Sequence, residues 1–150
     1  MGRDQARLEL VAAELPGKVH AWPVDLSDRH KLHAAIADLP RRFPELSIVI
    51  NNAGIQIEAN FPDGSAWSRR ADLRRETAVN LDAVVALCAG LLPHLAKQPR
   101  AAIGNVTSGL AIAPKRSSPV YCATKAGVRA SRRAPTSTGS TPTLLPRRAS

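Results

Sequence analysis

Aromatic residues are scarce, with two Trp, one Tyr and two Phe in 150 residues. A core must then be filled by Leu, Val, Ile and Ala, within an apolar fraction of 44% that is ordinary for a globular protein. Cysteine is sparse too. Cys88 and Cys122 both fall in helical patterns, which argues for small buried or half-buried thiols rather than a disulfide framework. A reducing, cytoplasmic setting is the expectation. No apolar run approaches the roughly 20 residues that a membrane helix needs. Met1-Gly2-Arg3-Asp4-Gln5 has none of the apolar stretch of a secretory leader. His30 and His33 lie one turn apart, but no third ligand is evident, so they read as a solvated face and no metal is expected. Acidic residues are missing from the second half: residues 83–150 hold ten Lys/Arg and no Asp/Glu, against 11 and 12 in residues 1–82. Such asymmetry can mark a nucleic-acid-binding arm. In the tail the arginines come as pairs, Arg132-Arg133 and Arg147-Arg148, with no aromatic beside them to stack on bases. A merely basic tail is the better reading.

What is present alternates. Asp4 can cap a helix whose apolar rhythm is Leu8, Val11, Ala12 and Leu15, ended by Pro16-Gly17. Val19 to Asp25 reads as a short strand. Ser27 stands where an N-cap belongs, ahead of a helix with the buried stripe Leu32, Ala35, Ile36 and Leu39. Pro40 and Pro44 bound the next loop. Leu46 to Ile50 is a β-branched apolar run, the mark of a strand covered on both faces. After a loop at 58–66, a long helical pattern runs through Leu73, Val79, Leu81, Val84, Leu87, Leu91 and Leu92. Ala101 to Val106 is a third strand. A loop at 109–117 leads to a helix from about Pro119 to Arg129. Strict alternation predicts an α/β fold: a parallel, doubly wound (Rossmann-like) sheet with helices on both faces. Ligands in such sheets sit at the carboxyl ends of the strands. Asp25, Asn51 to Gly54 and Thr107 to Gly109 each follow a predicted strand.

The chemistry concentrates in Tyr121-Cys122-Ala123-Thr124-Lys125. On a helix, positions i and i+4 share one face. A phenol ordinarily ionises near pH 10, and a nearby cation favours its phenolate. That makes a Tyr beside a Lys a usable general acid or base. Taken alone, Tyr-x-x-x-Lys is more often a surface pair. Asn80, Ser108, Gly54 and Asp25, each taken alone, also suit a polar helix residue, a turn or cap, a tight turn and a helix cap.

Taken in order and spacing, these residues resemble the short-chain dehydrogenase/reductase family over roughly residues 2 to 129. Asn51-Asn52-Ala53-Gly54 is similar to the family's Asn-Asn-Ala-Gly motif. Asn80 in Val79-Asn80-Leu81 is similar to its helix asparagine, and Ser108, Tyr121 and Lys125 to its Ser, Tyr and Lys. The resemblance implies an NAD(P)-dependent oxidoreductase acting on a small-molecule carbonyl or secondary alcohol. Tyr121 would give a proton to the carbonyl oxygen in reduction or take it from the alcohol in oxidation. Ser108 would hydrogen-bond that oxygen. Lys125 would assist Tyr121 and bind the nicotinamide ribose. Asn80 would hold a water in the relay behind Lys125. Asn52, Ala53 and Gly54 would line the adenosine side, and Asp25, with Leu26 beside it, the adenine ring. Gly2-Arg3 resembles the end of the family's second strand, where a basic residue favours NADP over NAD. The alternative is an Arg on a frayed terminus. In this family the long helix and the Tyr-bearing helix form dimer interfaces, so a homo-oligomer is implied.

Two departures shape the expectation. None of the nine glycines forms the glycine-rich turn that cradles a pyrophosphate in this family. The chain thus reads as a fragment, with residues 1–129 a partial Rossmann-like domain that lacks its front unit. From about Ala130 to Ser150 the composition turns to Ser, Thr, Pro and Arg, and Pro135 should break the helix. A disordered tail from a shifted frame or truncated gene model is the expectation. A sheet short of strands should expose apolar faces and be marginal or aggregation-prone. An inactive remnant, or an interaction module on the same fold, is the alternative function.

Overall fold

The computed structural model describes residues 1–131; the breaker Pro135 and nearly all of the expected tail lie outside the described residues. Capping starts the chain as expected. Asp4 Oδ1 accepts from Arg7 N at 3.0 Å and opens α1, Gln5–Glu14. Its apolar stripe does not become core. Val11 and Leu15 are exposed, and no residue of α1 is buried. Leu8 is half-buried, with its side chain beside Gly2. The strand expected over 19–25 is absent. A single parallel bridge, Gly2 to Pro23, stands there instead, with Val24 N donating to Gly2 O at 2.7 Å.

Helix α2, Arg29–Arg42, is capped by Asp28 and not by Ser27. Asp28 Oδ1 accepts from Lys31 N at 3.1 Å. Ser27 is already committed to Asp25. The predicted stripe is found: Leu32 and Ala35 are buried, and Ile36 and Leu39 half-buried. Pro40 lies inside this helix and does not bound the loop. Its missing N–H falls in the last turn, and Phe43 N still closes the helix on Leu39 O at 2.9 Å.

Strands β1, Ile48–Asn51, and β2, Ala102–Asn105, pair in parallel, with Ile48 opposite Ala102 and Asn51 opposite Asn105. β1 is not covered on both faces. Val49 packs on the core, while Ile48 and Ile50 are 61% and 68% exposed. Among the described residues the sheet has these two strands, so the parallel α/β architecture is present in incomplete form.

After the short α3, Ser65–Ser68, a continuous helix runs Arg70–Leu95. It consists of α4, Arg70–Thr77, a π-helical turn Ala78–Asp82, and α5, Ala83–Leu95. Contrary to the sequence expectation, this helix is long and apolar enough to cross a membrane by length and composition. Its face of Ala83, Leu87, Leu91 and Leu95 instead forms the buried core with Leu32 of α2, and Val49 and Ile103 pack against them. At the α2–α5 crossing, a Cβ on Gly90 would run into the Ile36 Cγ2 methyl, so only hydrogen fits there. A 3₁₀ turn, Gly109–Ala111, leads toward α6, Pro119–Ser131. α6 packs on the π turn, with Leu81 against Gly127.

Candidate active site

Both strands run the same way, so both chains leave the sheet on one side, and the ends are tied there. Asn51 Nδ2 donates to Asn105 Oδ1 at 2.8 Å. From this edge, residues 52–57 and 106–108 pass toward the long helix and α6.

Asn80 is the centre of the arrangement. It sits in the π turn, where Ala83 N reaches back to Ala78 O. Such a turn inserts an extra residue and rotates side chains relative to a plain helix, often at functional sites. Asn80 is fully buried. Its Oδ1 accepts from Ile55 N at 2.9 Å, and its Nδ2 donates to Ile55 O at 2.8 Å and to Thr124 Oγ1 at 3.4 Å. A side chain that grips both polar groups of one residue fixes that residue's place. The neighbour Gly54 is thereby held close: a Cβ built on it would stand 3.3 Å from Asn80 Oδ1 and 3.4 Å from Lys125 Nζ.

Lys125 is buried on α6. Its Nζ donates to Val106 O at 3.1 Å and lies 5.7 Å from the centre of the Tyr121 ring. Thr107 Oγ1 donates to the Lys125 carbonyl at 2.9 Å, fastening α6 to the end of β2. Burial pulls the Lys125 ammonium below the ordinary lysine range. Tyr121 is half-buried. Ser108 Oγ accepts from Leu110 N at 3.2 Å and caps the 3₁₀ turn. Among the described residues, no hydrogen bond joins the side chains of Ser108, Tyr121 and Lys125 to one another. Gly54, Asn80, Lys125 and Tyr121 are thus brought together, and Ser108 stands at the head of the loop that leads into their helix.

The family model described as short chain dehydrogenase matches residues 1–136. The chain belongs to the short-chain dehydrogenase family. It is 42% identical over 127 residues to an uncharacterized oxidoreductase, DltE, of Bacillus subtilis, covering 85% of this chain and 49% of that protein. Against a serine 3-dehydrogenase of Agrobacterium fabrum it is 34% identical, with 85% and 50% covered. A short-chain dehydrogenase from Sphingobium yanoikuyae, solved in complex with NADPH, superposes with a TM-score of 0.72 at 32% identity, over 84% of this chain and 49% of that one. The chain spans about half the length of the curated relatives it matches.

The remaining expected positions of this short-chain dehydrogenase chain form a second group. Leu26, Asn52 and Ala53 line an open groove of about 430 Å³. Asp25 lies nearby in sequence but is already engaged. It accepts from Ser27 N at 2.9 Å, from Ser27 Oγ at 2.7 Å and from Arg75 Nη2 at 3.4 Å. Burial works to raise the Asp25 carboxyl. The Ser27 hydrogen bonds and the charges of Arg75 and Arg3 outweigh it and hold the group below the ordinary carboxylate range. Arg3 itself is exposed.

Sequence reasoning missed Arg75 and Glu76, and gave no role to Thr107 and Thr124. Thr107 and Thr124 adjoin recognised positions but carry no pattern of their own. Glu76 stood one helical turn before Asn80, and that i, i+4 spacing was the signal available. Among the described residues, no three His, Cys, Asp or Glu side chains gather to hold a metal ion.

Proposed function

We propose that this chain carries the proton-handling part of an NAD(P)-dependent oxidoreductase that interconverts a small carbonyl compound and a secondary alcohol. The observation that carries this reading is the packing of Gly54 over the Lys125 ammonium, with Asn80 behind it and the Tyr121 ring alongside. A side chain at 54 would fill the space above the ammonium, so the bare backbone there suits the close approach of a flat, hydroxyl-bearing ligand. A bound nicotinamide supplies or accepts the hydride. Tyr121 gives its phenolic proton to the carbonyl oxygen in reduction and takes it back in oxidation. The Lys125 charge near the ring stabilises the phenolate left behind. Ser108 Oγ already accepts from Leu110 N, which leaves its hydroxyl hydrogen free to donate to the same substrate oxygen. Asn80 keeps Ile55, and with it Gly54, in register with Lys125.

Leu26, Asn52 and Ala53 would take the adenosine side of the cofactor, with Asp25 at its edge. Arg3 and Arg75 make that edge cationic, which favours NADP over NAD. The free thiols Cys88 and Cys122 suit a reducing cytoplasm. Val85 and Leu92, exposed on the outer face of α5, suit association of two copies. The runner-up is an inactive remnant or interaction module, favoured by the bare Ile48 and Ile50. Fluorescence titration with NADPH separates the two. Saturable enhancement that is lost in Lys125→Met supports the oxidoreductase. No change on titrating the wild-type chain supports the remnant.

A further inference from the structure

Glu76 stands apart from every other polar side chain among the described residues. It is fully buried. Its Oε1 accepts from Ile57 N at 3.1 Å. Its Oε2 is the one buried side-chain oxygen or nitrogen without a hydrogen-bond partner among the described residues. A buried polar atom left unpaired costs free energy, and an ionised one costs more. An apolar side chain would pack at this position at lower cost, so what the carboxyl holds needs an explanation.

It holds a segment with no helix or strand of its own. Residues 55–59 are fastened at Ile55 by Asn80, at Gln56 by Ser118 Oγ, at Ile57 by Glu76 and at Ala59 by Ser117 O. Asn80 and Glu76 lie one turn apart on the same continuous helix, and they take residues 55 and 57 in reverse order. The segment therefore runs antiparallel alongside that helix. Its near end is Gly54, over the Lys125 ammonium.

We propose, resting on the oxidoreductase reading, that Glu76 is a positioning residue that fixes Gly54 over Lys125 by anchoring the Ile57 amide. Asn80 pins residue 55 to the long helix, and the Glu76 bond adds a second point on the same helix two residues further along the segment. Burial raises the Glu76 carboxyl above the ordinary carboxylate range, against the hydrogen bond from Ile57 N, which works to lower it. Release of Ile57 would let Gly54 lift and water reach the Lys125 ammonium.

The test compares the wild-type chain with Glu76→Gln, which keeps an acceptor, and Glu76→Met, which keeps the bulk and removes it. The Lys125 side-chain methylene shift, followed by NMR against pH and assigned through Lys125→Arg, reports how dry the ammonium is. Glu76→Met should move the Lys125 titration up toward the ordinary lysine range and speed hydrogen exchange at the Ile57 amide about tenfold. Glu76→Gln should leave both near wild type. An unchanged Lys125 titration in Glu76→Met, or a Glu76→Gln variant that behaves like Glu76→Met, overturns the proposal. Should Glu76→Met fail to fold, wild-type exchange decides: Ile57 protected above an unstructured amide supports the anchor, and Ile57 at the unprotected rate overturns it. NADPH titration of the wild-type chain is run separately. Its failure removes the oxidoreductase reading and leaves the two anchor readouts standing.

Discussion

Residues 1–28 and residues 51–131 follow the same rules of sequence and reach opposite ends. Both begin from well-formed local signals. Asp4 caps α1, and Ser108 caps the 3₁₀ turn ahead of α6. Yet α1 buries nothing, while the second region buries Asn80, Glu76, Ser118, Thr124 and Lys125, all polar. The difference is partners. Leu10, Val11 and Leu15 have an apolar face with nothing packed on it. Asn80 has two backbone groups and a threonine around it. Local propensity makes an element, and only a tertiary partner makes it part of a core or a site.

The largest effect should come from the centre of the second region. Asn80→Leu leaves Ile55 N and O without their partner and should lower stability by about 2–4 kcal/mol in urea unfolding, with NADPH binding lost. Next is the α2–α5 crossing. Gly90→Val forces a side chain against Ile36 and should cost about 1–3 kcal/mol by the same measurement.

The pH dependence divides by sign. Glu76 titrates above its ordinary value of 4.5 when folded. Its contribution is fully present below the unfolded pKa and is lost as pH rises through the folded one. Stability should then decline on the alkaline side of the carboxylate range in wild type and flatten in Glu76→Gln, read from urea midpoints across pH. Asp25 works the other way. Its folded pKa lies below 3.8, so its contribution is present above that value and fades as pH falls through the folded pKa. Arg75→Ala should reduce that acid-side loss and cost at most about 1 kcal/mol at neutral pH, because the pair is partly exposed. Leu10→Ser should do least, within about 0.5 kcal/mol, since Leu10 touches solvent. A Leu10→Ser loss as large as that of Asn80→Leu would break the comparison.

Much of this was legible in the sequence. The α2 stripe, both strands, the long helix and α6 follow from apolar period, and the strand-end residues mark where a site must be. Gly54, Asn80, Tyr121 and Lys125 come together, although the resemblance implies Gly54 on the adenosine side with Asn52 and Ala53. What failed, failed for physical reasons. The strand at 19–25 and the two-sided cover of β1 needed neighbours that a periodic pattern cannot supply. Ser27 looked like a cap because it precedes the helix, but Asp25 claims it first. Pro40 looked like a boundary, yet the helix runs through it to Arg42 and closes with Phe43 N on Leu39 O. The helix Arg70–Leu95 escaped a test for unbroken apolar runs because polar residues interrupt it. Arg75 was invisible because its partner is Asp25, and Glu76 offered only its spacing from Asn80, because its partner is residue 57.

Amide hydrogen exchange on the whole chain tests the central contrast most directly. The account predicts that Ile55, which lies in no helix or strand but is gripped by a buried asparagine, exchanges more slowly than Leu10 in the middle of α1. Faster exchange at Ile55 than at Leu10 would contradict it.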